Sequence, residues 1–465
     1  MRWVFAALLV LLAATIIARA SREPDVDEIE YMHTAWLMEQ GQTLYTSFFQ
    51  HHPPYLFATL RTVIGPNLRA SFVTARLLSG LFALIAIVAF GAILWRVRPE
   101  GAPVAVVLLF ASSLLWLRGL TDARAEPYAM AFFWCGAALV LLSRNDVLAG
   151  VGAALVVIAA LWAPKWPLCT LVVIGFWIAY TRRRVLSAAV AATLVAIAVL
   201  ILHLLAPLDR VWFFTMEYNL ALAAEARVSP ELHEAMFKGG VPFLYAPAFL
   251  GPVVMLVAFV LVAALVRKNR IVVFLLLLAA AAALEVRFTF PWPALWHHYY
   301  LMWGLAAAAL AGLVPAALEK VSRSKWIAPV VTVVVLIVGV VHALTSTMWE
   351  NEGPYWASQR YFARNMRPAD TMWIDLGRHP VFARDAHYYW FGFNNLVPLA
   401  RVLARTPHGS RYLPPGTDLP LCAPPPSLRY VVSPRLLPSL PEQRRCFDRL
   451  PVRRAPVPDV YEVVR

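Results

Sequence analysis

Charge is what this sequence has little of. Only 15% of its 465 residues are Asp, Glu, Lys or Arg, against roughly a quarter in a water-soluble domain. That deficit, with 60% hydrophobic residues and a mean hydropathy of +0.64, excludes an ordinary soluble enzyme and makes the chain an integral membrane protein. Acids are scarcer than bases, 27 against 41, for a formal net charge of +14. In a soluble chain such an excess would suggest nucleic-acid binding. Here the bases sit mostly in short loops between apolar runs, so topology accounts for many of them and no nucleic-acid partner is expected. Four cysteines are too few for a disulfide scaffold, and none stands in a CxxC or Cys/His zinc spacing. Cys135 and Cys169 lie in apolar runs and read as packing residues; Cys422 and Cys446 lie in a polar tail, where an oxidising compartment would allow a bridge. No Gly-rich nucleotide fingerprint occurs in a strand–turn–helix context.

Long apolar runs are what the chain has instead. A hydrocarbon core about 30 Å thick needs roughly 17–25 apolar residues per spanning helix. Runs near 3–19, 70–94, 102–119, 126–143, 147–163, 166–180, 185–206, 243–266, 271–286, 297–316 and 326–347 qualify, about eleven spans. Every second loop is basic, with Arg96 and Arg98, then Arg144, then Arg182, Arg183 and Arg184, then Arg267, Lys268 and Arg270, then Lys320, Arg323 and Lys325. Short basic loops mark the cytoplasmic side, so with Arg2 inside and an odd number of spans the tail lies outside. The first span also reads as a signal sequence ending at Ala18-Arg19-Ala20, and cleavage would leave the orientation unchanged. The expected architecture is an α-helical polytopic membrane protein in which residues 1–350 form the transmembrane domain, with a first outer loop (20–69) carrying two short surface helices. Residues 351–465 should form a small extracytoplasmic α/β domain, with strands in TMWIDLG, LRYVVSP and VYEVVR and a helix over 359–365. Asp375, Arg378, His379, Asp385 and His387 in that tail read as a solvated surface with a few ion pairs.

The outer segments hold the acids, histidines and tryptophans that packing does not explain. The first carries Asp25, Asp27, Glu28, Glu30, His33, His51 and His52; the next carries Asp122, Arg124 and Glu126; a third holds Lys165 between Trp162 and Trp166. A fourth runs from Asp209 to Pro242, with Trp212, Phe213, Phe214, Glu217 and Tyr218 suited to a sugar ring or to the interface, and a fifth holds Glu285, Arg287, His297 and His298. Polar groups near membrane depth are costly unless they face one another or a wet cavity, so their gathering on one face points to a site where these segments meet. Structural alternatives stand beside each. Asp27 could cap a helix whose apolar stripe begins at Ile29, Lys165 could snorkel between its tryptophans, and His297 and His298 could belong to an aromatic belt.

The order of an apolar span, DEIEY, about fifteen residues, GQTLYTSFFQHHPPYLF and a second long span resembles the start of the GT-C membrane glycosyltransferases, in particular the branch of the lipid A aminoarabinose transferase and the protein O-mannosyltransferases. That resemblance implies a polyprenyl-phosphate-linked sugar donor, inversion at the anomeric carbon and a catalytic aspartate at Asp27, with Glu28 and Tyr31 as its motif neighbours. It also implies a phosphate-side role for His51 and His52 before Pro53 and Pro54, where many relatives have Lys at the second position. TDARAEPYAMAF is similar to the segment in which an acid helps bind the donor, here Glu126 after Arg124, with Asp122 competing. APKWP resembles a Lys-Gly element, on Lys165, with Trp166 in place of the glycine. WPALWHHYYLMWG, with His297 and His298, is similar to the late span near the lipid carrier.

The chemistry fits these residue types. An alcohol acceptor needs a base, which a carboxylate such as Asp27 supplies, and a phosphate leaving group needs fixed cations. The expected acceptor is a glycolipid, a polysaccharide or a protein. No cofactor is certain from the sequence, and a divalent cation held by His51, His52 and Glu30 or Glu126 is an option. The rival reading is a transporter or flippase of an amphiphile that does no bond chemistry.

Overall fold

The computed structural model describes residues 1–111, 121–228, 269–285, 301–322, scattered positions between 326 and 341, 354–374, 379–386, 388, 406–412, 422, 424–432 and 441–464. In chain order its first helices are α1 (Arg2–Arg19), α2 (Val26–Glu39), α3 (Pro54–Arg61), α4 (Leu68–Val97) and α5 (Gly101–Ala111). There follow α6 (Ala125–Leu142), α7 (Asp146–Trp162), α8 (Pro167–Tyr180) and α9 (Arg184–Leu205). A short α10 (Leu208–Trp212) continues through a π-helical turn (Phe213–Glu217) into α11 (Tyr218–Val228). Then come α12 (Arg270–Leu284), α13 (Leu301–Ser322), α14 (Pro354–Asn365), α15 (Gly409–Tyr412) and α16 (Pro441–Arg449).

Among the described residues α1, α4, α6, α9 and α13 are long and apolar enough to cross a membrane, and α7, α8 and α12 are shorter apolar helices. The chain is thus a polytopic, mostly helical membrane protein with a small sheet. The expected span over 243–266 lies outside the described residues, and those over 102–119, 297–316 and 326–347 are described only in part.

The chain divides into two compact units, one of residues 1–20, 76–200 and 239–349, the other of residues 21–75, 201–238 and 350–465. In the first unit, α6 and α7 are joined by a short turn in which the Asn145 side chain caps α7 by accepting from the backbone N–H of Val147 at 2.8 Å. The two helices then approach backbone to backbone. A Cβ on Gly136 would lie 2.5 Å from the Gly152 carbonyl oxygen, and one on Gly152 would lie 2.7 Å from that of Gly136. In lipid no hydrophobic drive separates helix–helix from helix–lipid contact, so such glycine pairs supply the packing. Arg76 on α4 is buried and donates at 2.9 Å to the carbonyl of Ala20, which follows α1. The carboxylate of Glu285, just past α12, caps α8 from outside, accepting from the Cys169 backbone N–H at 3.0 Å and its thiol at 3.1 Å.

The second unit contains the sheet, in the order β2 (Arg384–Asp385), β1 (Thr371–Ile374), β3 (Leu428–Val432), β5 (Val460–Val463), β4 (Val452–Arg454). β1 runs parallel to both β2 and β3, while β3–β5 and β5–β4 are antiparallel. Period-two alternation divides its core. Met372, Tyr430, Val432 and Val460 pack with Phe362 of α14, whereas Trp373, Val431 and Val463 pack with Phe447 of α16. Helices therefore cover both faces, and three of the four segments expected to be regular in the tail are the strands β1, β3 and β5, with α14 the fourth. Glu462 on β5 meets Arg429 on β3 and Arg453 on β4, the latter at 2.7 Å. Cys422 and Cys446 are joined as a disulfide across 24 residues of chain.

Gly136→Ala should lower the melting temperature of the detergent-solubilised protein, by about 1–3 kcal/mol of stability, because its methyl group meets backbone and Val156 rather than space. Gly175→Ala, where nothing lies within 4 Å, should be neutral or slightly stabilising. Equal melting curves for both variants would rule out the close α6–α7 approach.

Candidate functional site

The second unit carries the acidic motif on α2. The cap of that helix is Asp25, not Asp27: its Oδ1 accepts from the Asp27 backbone N–H at 3.1 Å, and Glu28 reaches back to accept from the Asp25 N–H at 2.9 Å. This is a capping box. Glu28, fully buried, is therefore engaged at the helix start and also has Arg22 at 3.7 Å. Asp27 is half-buried in the first turn. One turn on, Glu30 is 1% exposed, on the same side of the helix as Asp27 by its three-residue spacing. Burial raises the Glu30 carboxyl well above its usual range, opposed by a hydrogen bond from Gln50.

The two histidines are presented by a turn that several side chains hold. The Gln50 amide oxygen accepts from the backbone N–H of His51 at 2.7 Å and of His52 at 3.2 Å, while its amide nitrogen donates to Thr34 of α2 at 2.9 Å. Asn219 of α11 donates to the His51 carbonyl at 3.0 Å and Tyr45 to that of His52 at 2.5 Å. Tyr45 itself adopts φ +61°, a left-handed conformation unusual for an aromatic residue. Its carbonyl receives Arg210 at 2.8 Å and Tyr388 at 3.0 Å, and its ring stacks on Phe214 at 5.0 Å. Pro53 then sets the extended entry to α3, which begins at Pro54. The result is a carboxylate between two imidazoles: Glu30 Oε1 stands 3.9 Å from His51 Nδ1 and 3.9 Å from His52 Nε2. Tyr31 lies edge-on to His52, its hydroxyl 3.3 Å from Nε2. Glu30 Oε1 is buried and has no hydrogen-bond partner among the described residues, so this donor set fits a divalent cation of the zinc class.

In the first unit the TDARAEPYAMAF segment forms the start of α6. Arg124 occupies the N-cap position and its N–H bonds the Asp122 carbonyl at 2.8 Å, with Glu126 in the first turn; all three side chains are buried. Lys165, between α7 and α8, forms an ion pair with Glu126, and Arg124 acts electrostatically on the same pair. Trp162 and Trp166 beside Lys165 are buried, Trp162 stacked on Tyr128 at 4.8 Å. Lys165 is thus bound to a carboxylate rather than extended toward an interface. His297, His298 and Arg287 lie outside the described residues, as do Asp375, Arg378 and His387.

Composition and spacing did not single out Gln50, Asn219, Tyr45 or Arg210, whose work is to hold backbone carbonyls and amides. The QHHPP run is the one signal that could have pointed to Gln50, since an amide before two exposed N–H groups can take both. The expectation of a solvated surface around His379 and Asp385 fails: His379 is 0% exposed and both side chains are hydrogen-bonded to one another, at 2.8 Å. The aromatic residues Phe213, Phe214 and Tyr218 are buried packing groups, and only Trp212 of that run is well exposed.

Two consequences can be measured. Because the folded state holds the Glu30 proton to higher pH than the unfolded chain, stability should fall as pH rises above about 4.5. Glu30→Gln should flatten that fall in melts recorded across pH 4.5–8, and an unchanged slope would contradict it. Lys165→Met should cost roughly 3 kcal/mol by leaving Glu126 buried beside no lysine, with much of the loss recovered in the Lys165→Met, Glu126→Gln pair. Wild-type melting of the single variant would remove the ion pair.

No protein-family profile and no curated protein matches the sequence. Solved structures do. The chain is similar to ArnT from Cupriavidus metallidurans in the apo state, at 13% identity over 99% of this chain and 96% of that one, with a TM-score of 0.59. ArnT bound to undecaprenyl phosphate matches at 15% identity over 78% of this chain and 72% of that chain, TM-score 0.47. The Archaeoglobus fulgidus oligosaccharyltransferase in complex with Zn and sulfate matches at 13% identity over 92% and 67%, TM-score 0.49. The likeness to apo ArnT runs over nearly the whole of both chains, and it gives this protein an ArnT-like fold.

Proposed function

We propose that the protein is an inverting membrane glycosyltransferase that moves a sugar from a polyprenyl-phosphate carrier to an acceptor hydroxyl on the extracytoplasmic face. The observation that carries this reading is the ArnT-like fold along the whole chain, with the acidic motif at the start of α2 where Asp25 makes the helix cap. ArnT itself has been crystallised with undecaprenyl phosphate. Orientation draws on two further points. The segments 21–75, 201–238 and 350–465, which loop charge places on one side, gather in one compact unit. The Cys422–Cys446 bridge suits an oxidising compartment such as the bacterial periplasm, and so an enzyme of the inner membrane.

In the proposed reaction the acceptor oxygen attacks the anomeric carbon as the bond from that carbon to the phosphate oxygen breaks. The proton passes to the Asp27 carboxylate and the bonding electrons leave with the phosphate, so the configuration inverts. Cations stabilise the charge growing on phosphate, and Arg124 and Lys165 are assigned to it, with His51 and His52 as donors at the carrier and Glu126 setting Lys165 in place. His297 and His298 keep the same assignment by resemblance. Glu28 and Tyr31 shape the motif, the first through the capping box and the second through its contact with His52. Asp122 remains the rival acid to Glu126. Where Glu30, His51 and His52 hold a divalent cation, it would supply positive charge to a phosphate. The acceptor class is a glycolipid, a polysaccharide or a protein.

Asp27→Asn should reduce transfer from a panel of polyprenyl-phosphate sugars by at least about 10²-fold while leaving the melting curve unchanged. Asp25→Ala should do the opposite, losing about 1 kcal/mol of helix stability and keeping transfer. Wild-type transfer by the Asp27 variant would discard it as the base, and movement of labelled lipid across vesicles with no covalent product would favour a transporter.

A further inference from the structure

A second cluster of metal-ligand side chains, made of other residues, lies in the same unit. His33 sits mid-way along α2, His379 precedes β2, and Asp385 ends β2. Their side chains are 0%, 0% and 7% exposed. His33 Nε2 is 2.7 Å from Asp385 Oδ2, and His379 Nε2 is 2.8 Å from Oδ1 of the same carboxylate. The second nitrogen of His33 decides what can stand between them. Nδ1 is 2.5 Å from the Val381 carbonyl oxygen, an atom that can only accept, so Nδ1 carries the hydrogen. In the neutral imidazole Nε2 then presents a lone pair, directed at a carboxylate oxygen. Two lone pairs at that separation repel, and the conflict is removed either by a proton shared between the imidazole and the carboxyl or by a metal ion.

The surroundings favour the metal. Two imidazoles and one carboxylate converge with all ligand atoms within 4.8 Å of one another. A backbone carbonyl on the far nitrogen of a ligating histidine is the usual outer contact that fixes its tautomer and ring plane. The rings are further fixed by packing, with Trp36 stacked on His33 at 5.6 Å and Phe382 6.1 Å beyond it. A lone proton would pair His33 with Asp385 alone and leave the charged ring with its centre 3.9 Å from that of His379, whereas a metal ion would engage both imidazoles and the carboxylate together. We propose that His33, His379 and Asp385 form a binding site for a divalent transition-metal ion of the zinc class, which ties the acidic-motif helix α2 to the edge strand β2 of the small domain. Zinc bonds of about 2.0–2.2 Å would spread the donors to roughly 3.3 Å apart, a small opening of the two hydrogen bonds, and a water would complete the tetrahedron. The site is built from different residues than Glu30, His51 and His52 and does not depend on the glycosyl-transfer reading.

The full-length protein, stripped with chelator and dialysed, can be titrated with cobalt(II) and with zinc, following visible ligand-field bands, bound metal by mass spectrometry and thermal melting. One tight equivalent that persists in Glu30→Gln and weakens by more than about 100-fold in Asp385→Asn and in His379→Gln is the expected result. Zinc should also raise the melting temperature of the wild type and of Glu30→Gln but not of Asp385→Asn. No tight equivalent in the folded wild type would overturn the proposal in favour of a protonated His33. An equivalent lost in Glu30→Gln and kept in Asp385→Asn would assign the ion to the other cluster and overturn it too. If Asp385→Asn fails to fold, the wild-type titration and His379→Gln decide.

Discussion

In a chain so poor in charge, an ionised group withdrawn from water must meet a fixed partner, because the desolvation it suffers exceeds what one exposed ion pair returns. The described structure is arranged around that requirement. Glu126 is met by Lys165, which fastens the turn after α7 to the start of α6. Glu285 is met by the amide end of α8. Glu28 is met by the Asp25 N–H and by Arg22, and Asp385 by two histidines. The pairings of Glu126, Glu285 and Asp385 join segments distant in the chain, while that of Glu28 fixes the start of its own helix.

Against that background α2 stands out. It is enclosed on most of its circumference, although only part of it is apolar, since Glu28, Glu30, His33 and Thr34 are buried along with Ile29, Met32 and Leu37. Its half-buried Asp27 and its buried Glu30 are a turn apart in different surroundings, one near water and one with a carboxyl that burial keeps protonated to higher pH. The turn bearing His51 and His52 is held by Gln50, Asn219 and Tyr45 through backbone groups, so the imidazoles are placed before any ligand arrives.

Much of the fold was legible in the sequence because it follows from solvent. Apolar runs of spanning length mark α1, α4, α6 and α9, and period-two alternation marks β1, β3 and β5, where one face packs on α14 and the other on α16. The cap at Asp25 in place of Asp27 was harder to see, because three acids in four positions compete for one cap and only the backbone turn selects among them. The tail showed the opposite difficulty. His379 and Asp385 have the composition of a solvated surface, and the residue that buries them, His33, is more than 340 positions away in the chain. Short strands such as β2 and β4 carry too few residues for a pattern and exist through pairing with their neighbours. The partner of Lys165 was not legible, since nothing in the spacing of two loops states which acid a lysine will meet.

The central proposal is that this chain of ArnT-like fold transfers a sugar from a lipid phosphate to an acceptor. Mass spectrometry of purified protein in nanodiscs, incubated with a polyprenyl-phosphate sugar and membrane acceptors, tests it most directly. The account predicts stoichiometric release of free polyprenyl phosphate with a product of inverted anomeric configuration. Intact donor recovered in full, with no phosphate carrier released from any sugar in a broad panel, would contradict it.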